Sequence, residues 1–286
     1  MTDDLSDIAT PPGPRLSGRR RYGAAMSLYQ QGRLTPDQLE VYRICALLDG
    51  QDPEPLLPGG APLPAPAPAS EPKALLRDLL DEIDLYLAPL PGPGVAEIRS
   101  QINRSRHRAV ALHPRQNPVV QACLPAALAA LTKTHPDLAA AIARAAPHLN
   151  WITYDGYDPA RIGAAFALGH AYTSLIGEDA AIAAEGFDLG LFVIAPQVFY
   201  RDHHHAAPEL YVPLTGPHGW RFGPDTPLVI KPAHAPVWND PFRPHATKVG
   251  PTPFLALFGW TDAVQALAQV IPARDWPALE ALRLVP

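Results

Sequence analysis

The sequence predicts an α+β protein, with an α-helical N-terminal region followed by a mainly β C-terminal half that folds as a small antiparallel barrel. Three observations predict it. Ala- and Leu-rich segments before Asn150 repeat their apolar residues at helical spacing. From Trp151 onward, aromatic and β-branched runs separated by Gly and Pro replace them. Between the first helix and the rest, residues 52–70 are dominated by Pro and Ala, including Pro64-Ala65-Pro66-Ala67-Pro68, a composition that favours extended linker.

Residues 1–23 read as a disordered tail that is acidic, then Pro-rich, then basic from Arg15 to Arg21, a run read as solvated. The tail lacks the apolar core of a secretory signal, and no apolar run reaches the roughly 18 residues needed to cross a bilayer. A cytoplasmic protein without membrane segments is expected. Thr35-Pro36-Asp37-Gln38 supplies an N-cap, a Pro at the first helical position and a Gln two positions later, so a helix runs to about Leu48. Residues 24–70 are then this helix and the linker. Ser70 can cap a second helix, whose Leu75, Leu76, Leu79, Leu80, Ile83 and Leu87 form one apolar stripe. Helical spacing resumes over 95–105, 119–131 and 138–145, with Pro125 starting or kinking its segment. Residues 71–150 are therefore a helical layer packed on the barrel or on another copy of the chain, which makes a homo-oligomer compatible with the pattern.

The barrel occupies 151–286. Its expected strands lie at Trp151–Tyr154, Phe166–Ile176, Leu189–Phe199, Leu228–Lys231 and Phe254–Trp260. Barrels of this size close their own edges and enclose one small ligand. A formal net charge of −5 argues against nucleic acid as a partner. Cys45 and Cys123 lie far apart with no paired spacing and read as small buried residues.

The segment from Tyr200 to Tyr211 holds three imidazoles, a carboxylate and two phenols. If His203 to Tyr211 is extended, side chains two apart share a face, so His203, His205, Glu209 and Tyr211 project together while His204 projects away. Two imidazoles and a carboxylate on one side form a cradle for a divalent metal ion, with His245 as the fourth candidate ligand. The mixed nitrogen and oxygen set suits Zn, Fe(II), Mn, Co or Ni. His218 and His234 flank Gly/Pro turns and read as surface residues.

These residues carry a family resemblance. H-x-H, then Glu, then Gly, then a distant His is similar to the pattern of cupin barrels. More narrowly, Tyr200, His203, His205, Ala207, Glu209, Tyr211 and Gly216 resemble the signature of bacterial cupin-type dimethylsulfoniopropionate lyases. Gly169 to Gly177, Gly190 to Pro196, Pro244-His245-Ala246 and Leu255 to Asp262 resemble the flanking segments, so the likeness covers about 151–263. Arg201 stands where the family has Pro, Pro213 is unexpected, and Trp238 to Arg243 differs from the family's approach to its distant His.

The resemblance implies a cupin fold and a small-molecule substrate, dimethylsulfoniopropionate, cleaved to dimethyl sulfide and acrylate. It implies metal ligation by His205, Glu209 and His245, with His203 as a further ligand or close neighbour. Tyr211 is then the general base, since a divalent cation nearby stabilises a phenolate whose reference pKa is about 10. A sulfonium cation asks for aromatic faces, and Tyr200, Trp220, Trp238 and Trp260 are candidate walls, with Phe242 beside them. Two other readings stay open. One is a cupin dioxygenase or isomerase acting on another small acid, supported by Arg201 and the 238–243 stretch; the other is a non-catalytic metal-binding cupin.

Overall fold

The computed structural model describes residues 7–9, 11–13, 15–58 and 71–285, and the chain divides into two compact units, Met1–Ser70 and Glu71–Pro286. The Pro64 to Pro68 run and the Ser70 cap lie outside the described residues.

In the first unit, helices α1 (Ser17–Gln30) and α2 (Pro36–Ile44) close on a core that includes Ile8, Ala25, Leu28, Leu34, Tyr42 and Leu57. The start of α2 follows the sequence: Gln38 N–H donates to Thr35 Oγ1 at 3.2 Å, and Thr35 N–H donates to Gln38 Oε1 at 2.9 Å. Helix α1 corrects the reading of a disordered tail for its residues from Ser17 to Gly23. Gly18 lets it lie against the Cys45 carbonyl, where a Cβ would come within 2.5 Å. Asp49 accepts from the backbone N–H groups of Leu16 and Gly18, each at 2.9 Å. Arg21, expected in a solvated run, is buried and donates to the Gln51 carbonyl at 3.0 Å.

The second unit begins with helices α3 (Pro72–Leu87), α4 (Val95–Ser105), α5 (Pro118–Leu131) and α6 (Pro136–Ala145). All six apolar stripe residues of α3 are buried. Asn117 caps α5 by accepting from Val119 N–H at 2.9 Å, and Pro125 lies inside that helix. Two short helices follow, α7 (Pro159–Ile162) and α8 (Ala164–Leu168), and then the strands β1 (His170–Gly177), β2 (Ile182–Ala183), β3 (Asp188–Ile194), β4 (Phe199–His204), β5 (Glu209–Pro213), β6 (His218–Arg221), β7 (Val229–Lys231), β8 (Val237–Asn239), β9 (His245–Val249), β10 (Phe254–Trp260) and β11 (Gln269–Val270). Helix α9 (Trp276–Ala281) closes the described chain.

The strands form a six-stranded sheet ordered β2-β1-β3-β10-β5-β8 and a five-stranded sheet ordered β11-β4-β9-β6-β7. Apart from the parallel β1–β2 pair, neighbours are antiparallel, and the two sheets make the mainly β cupin barrel expected from the sequence. Alternation sorts the residues of the six-stranded sheet. Leu189, Leu191, Val193, Leu210, Val212, Leu255 and Leu257 join a core with α3 to α6. Phe192, Ile194, Tyr211, Ala256 and Phe258 face a second, more aromatic core. With both faces covered, these strands read as nearly continuous apolar runs. Gly190 permits the close approach of β1 and β3, since a Cβ there would lie 2.1 Å from the Thr173 carbonyl and 2.5 Å from the Phe258 ring.

Three strand readings are corrected. Trp151–Tyr154 is reduced to a single bridge between Ile152 and Tyr172. Phe166 belongs to α8, so β1 starts only at His170. The run from Leu189 to Phe199 breaks after Ile194, at Pro196 and the left-handed Gln197 (φ 62°), into β3 and β4.

Candidate metal centre and cavity

The convergence of the site residues arises differently from the single extended strand that the sequence suggested. β4 ends at His204, the chain turns at Ala206 and Ala207, and β5 starts at Glu209 in the opposite sheet. His203 and His205 therefore sit at the end of one sheet, while Glu209 and Tyr211 sit at the start of a strand in the other. His245 joins them because β9 pairs with β4 and sets it opposite His203. His204 points elsewhere, with its ring 5.9 Å from that of Phe242.

His203, His205 and His245 are buried, and one ring nitrogen from each lies within 4.8 Å of the others. The protonation pattern follows from their partners. Each Nδ1 meets a backbone carbonyl: His203 that of Arg201 at 2.8 Å, His205 that of Ala207 at 2.8 Å, and His245 that of Arg243 at 2.9 Å. A carbonyl only accepts, so Nδ1 carries the hydrogen and a neutral ring presents a bare lone pair on Nε2. His205 Nε2 lies 3.1 Å from Glu209 Oε2. His245 Nε2 lies 3.5 Å from the same oxygen and has no hydrogen-bond partner although it is buried. Lone pairs and a carboxylate facing one another out of water suit a cation among them, and the donor set is compatible with a divalent metal ion.

Glu209 is fixed from its other sides. Asn239 Nδ2 donates to Oε2 at 2.8 Å and Trp260 Nε1 donates to Oε1 at 2.7 Å. Burial by itself raises this carboxyl, but His205, His245 and the Trp260 N–H outweigh it and hold it at about 2. Burial pushes His203 well below the ordinary imidazole value, helped by His245 and His205, and brings His245 down to about 4. For His205, burial acts against the charged ring, yet the Glu209 carboxylate lifts it above 6.5. Tyr211 is pushed well above 10 by burial and by the adjacent Glu209.

Of these groups, His203, His205, Glu209 and Tyr211 line a cavity of about 240 Å3 with Tyr154, Tyr157, Tyr172, Phe192, Tyr200, Phe258 and Trp260. The volume lies below the roughly 300–1,000 Å3 of sites that take drug-sized ligands, so it suits a small molecule. Tyr200 stacks between Phe166 at 3.8 Å and His203 at 3.9 Å, and its hydroxyl is 2.6 Å from that of Tyr157. Trp260 lines the cavity and stacks on His205 at 4.5 Å.

Two candidate walls are corrected. Trp220 lies behind the site, parallel to His245 at 6.2 Å and edge-on to Tyr211 at 5.4 Å. Trp238 pairs with Leu210 and packs on the helix-side core beside Gly94, because its position on β8 faces away from the barrel interior. Phe242 is exposed. Arg201 is directed to Glu280 at 2.6 Å, the Arg161 carbonyl at 2.7 Å and the Trp276 ring at 4.6 Å, on the outside of β4. His218, expected at the surface, is buried between Phe254 and Trp220. His234 is partly buried, with Nδ1 3.0 Å from the Tyr86 hydroxyl.

The sequence reading missed much of the cavity wall. Tyr172, Phe192 and Phe258 were recoverable by alternation once β1, β3 and β10 were in register. Tyr157 and Phe166 stand in a loop and a five-residue helix, where no period marks them.

A profile of the dimethylsulfoniopropionate lyase family matches residues 95–256, so the match starts in α4, takes in α5 and α6 and the barrel strands β1 to β9, and ends within β10. The chain is 30% identical over 141 residues to dimethylsulfoniopropionate lyase DddQ of Ruegeria pomeroyi, which covers 46% of this chain and 68% of DddQ. A chain from the crystal structures of the lyases RdDddP and RnDddQII superposes with a TM-score of 0.55 at 20% identity, over 71% of this chain and 100% of that one. The crystal structure of DddQ from Ruegeria pomeroyi DSS-3 gives 0.49 at 24% identity, over 69% and 96%. Since the profile spans more than half of its length and DddQ is matched over two thirds of its own, the chain belongs to the dimethylsulfoniopropionate lyase family.

Proposed function

We propose that the protein is a metal-dependent carbon–sulfur lyase that converts dimethylsulfoniopropionate into dimethyl sulfide and acrylate by a β-elimination begun at Tyr211. The observation that carries this reading is the placement of Tyr211 two residues from Glu209 on β5, facing the same cavity beside three histidines whose Nδ1 atoms are already committed. His203, His205, His245 and Glu209 would hold the cation, with Zn, Fe(II), Mn, Co and Ni all compatible with the donor set. Bound there, a divalent cation supplies positive charge that attracts a substrate carboxylate and favours an ionised phenol nearby.

Tyr211, in its ionised form, takes the proton from the carbon next to the carboxylate. The electron pair of that C–H bond becomes the C=C bond of acrylate. The bond between the β carbon and sulfur breaks, and its pair goes to sulfur, which leaves as neutral dimethyl sulfide. Tyr211 then returns its proton to water. The faces of Tyr172, Phe192 and Phe258 exclude water and suit a sulfonium cation, an attraction worth about 2 kcal/mol when desolvated. Tyr200 orients His203 by stacking, with its own hydroxyl anchored on Tyr157.

Arg201 does not line the cavity, and 238–243 meets the site through Asn239, which donates to Glu209; neither observation favours a different small acid. The test is headspace detection of dimethyl sulfide from purified, metal-analysed protein given the sulfonium substrate. Release in step with acrylate supports the reading. Oxygen consumption without dimethyl sulfide would replace it with an oxygenase.

A further inference from the structure

Two carboxylates line the cavity, Glu209 and Asp188, and no Lys or Arg does. Glu209 belongs to the histidine cluster; Asp188 does not. Asp188 opens β3 in register with Trp260 of β10, which is in turn in register with Glu209 of β5, so the three side chains share one face of the sheet. Two strand spacings put the Asp188 and Glu209 backbones roughly 10 Å apart.

The Asp188 carboxylate has one neutral partner. Oδ2 accepts from Ser174 Oγ at 3.0 Å, while Oδ1 is buried without a hydrogen-bond partner. Among the described residues it makes no ion pair. A buried acid with an open acceptor calls for a positive or donating ligand. The adjacent Tyr172 and Phe258 rings meet edge to face at 6.0 Å, and aromatic faces backed by a carboxylate suit an onium group, which cannot donate a hydrogen bond.

We infer that Asp188 is the counter-ion for the cationic end of the substrate, so that the cavity selects small carboxylates bearing a permanent positive charge at the β carbon. The inference rests on the lyase reading for the placement of the substrate carboxylate at the histidines. In such a zwitterion the two ends lie roughly 4 Å apart, short enough for the onium group to fit between the Glu209 row and Asp188. Burial raises the Asp188 carboxyl to about 7, and a cation in the cavity favours its ionised form.

The test uses two unreactive ligands of one shape, 3-(trimethylammonio)propanoate and its uncharged-tail isostere 4,4-dimethylpentanoate. Each is titrated calorimetrically at pH 8 into metal-loaded protein and into its Asp188→Asn and Ser174→Ala variants. The expected result is a preference for the onium ligand in the unsubstituted protein that falls at least tenfold in Asp188→Asn, with affinity for the isostere unchanged. Ser174→Ala, which keeps the carboxylate, retains the preference. Equal preference in Asp188→Asn and the unsubstituted protein overturns the inference, as does a loss of both ligands together, which marks a structural role. Failure of the lyase reading is read separately, as absence of dimethyl sulfide release from a protein that still prefers the onium ligand.

Discussion

His203 and His245 stand directly opposite each other on β4 and β9, with ring centroids 4.2 Å apart, and each ties its Nδ1 to a carbonyl two residues back in its own chain segment. The backbone thus fixes the direction of both Nε2 atoms. Of the two, His245 Nε2 is the buried atom without a partner. His245→Ala is expected to lower metal affinity at least tenfold. Elemental analysis after dialysis should find well under one ion per chain, and full loading of this variant would remove His245 from the ligand set.

Trp260 holds Glu209 from the side away from the histidines, through Nε1 and Oε1 at 2.7 Å. Trp260→Phe keeps a ring to stack on His205 but removes the N–H. Metal affinity measured by chelator competition is expected to fall about 10- to 100-fold, with the fold retained by circular dichroism. An unchanged affinity would show that Asn239 and the histidines suffice to orient the carboxylate.

His218 makes acid stability testable away from the histidine cluster. Burial, with the nearby Lys231 charge, depresses its pKa from 6.5 to about 4. Between those values the unfolded chain binds the proton and the folded one does not, so this contribution is present in full above about pH 6.5. It is lost as pH falls toward 4. Replacing His218 by Leu is expected to flatten the loss of stability over that window by about 3 kcal/mol, read from urea unfolding at several pH values. An unaltered pH profile would mean that His218 titrates normally.

Arg201 bridges β4 to Glu280 and Trp276 near the C-terminus and lies outside the cavity. Arg201→Ala is expected to cost about 1 kcal/mol of stability and to leave the substrate concentration for half-maximal rate unchanged. A large rise in that concentration would mean that Arg201 acts on the substrate.

The barrel and its donors were legible because they are written in types and spacings: the apolar alternation of β3 and β10, and His203, His205, Glu209 and His245. The route by which they meet was not. A nine-residue run from His203 to Tyr211 has the period of one strand, yet the Ala206-Ala207-Pro208 corner sends it across the barrel, and small residues at a corner leave little trace in a pattern. Trp220 and Trp238 were misplaced for a related reason, since an aromatic residue suits either face of a sheet until its register is known. The order in α1 was hidden because it depends on Gly18 meeting Cys45 and on Asp49 capping from a distance, contacts that no local signal records.

In the proposed mechanism Tyr211 performs the proton abstraction beside a metal that other residues hold, and this step carries the rest. It is tested most directly by Tyr211→Phe, assayed for bound metal and for dimethyl sulfide in the same preparation. The expected outcome is metal content equal to that of the unsubstituted protein and a rate at least a hundredfold lower, the order of effect expected on removing a positioned general base, about 10²–10⁴. Undiminished dimethyl sulfide release from the metal-loaded variant would contradict it.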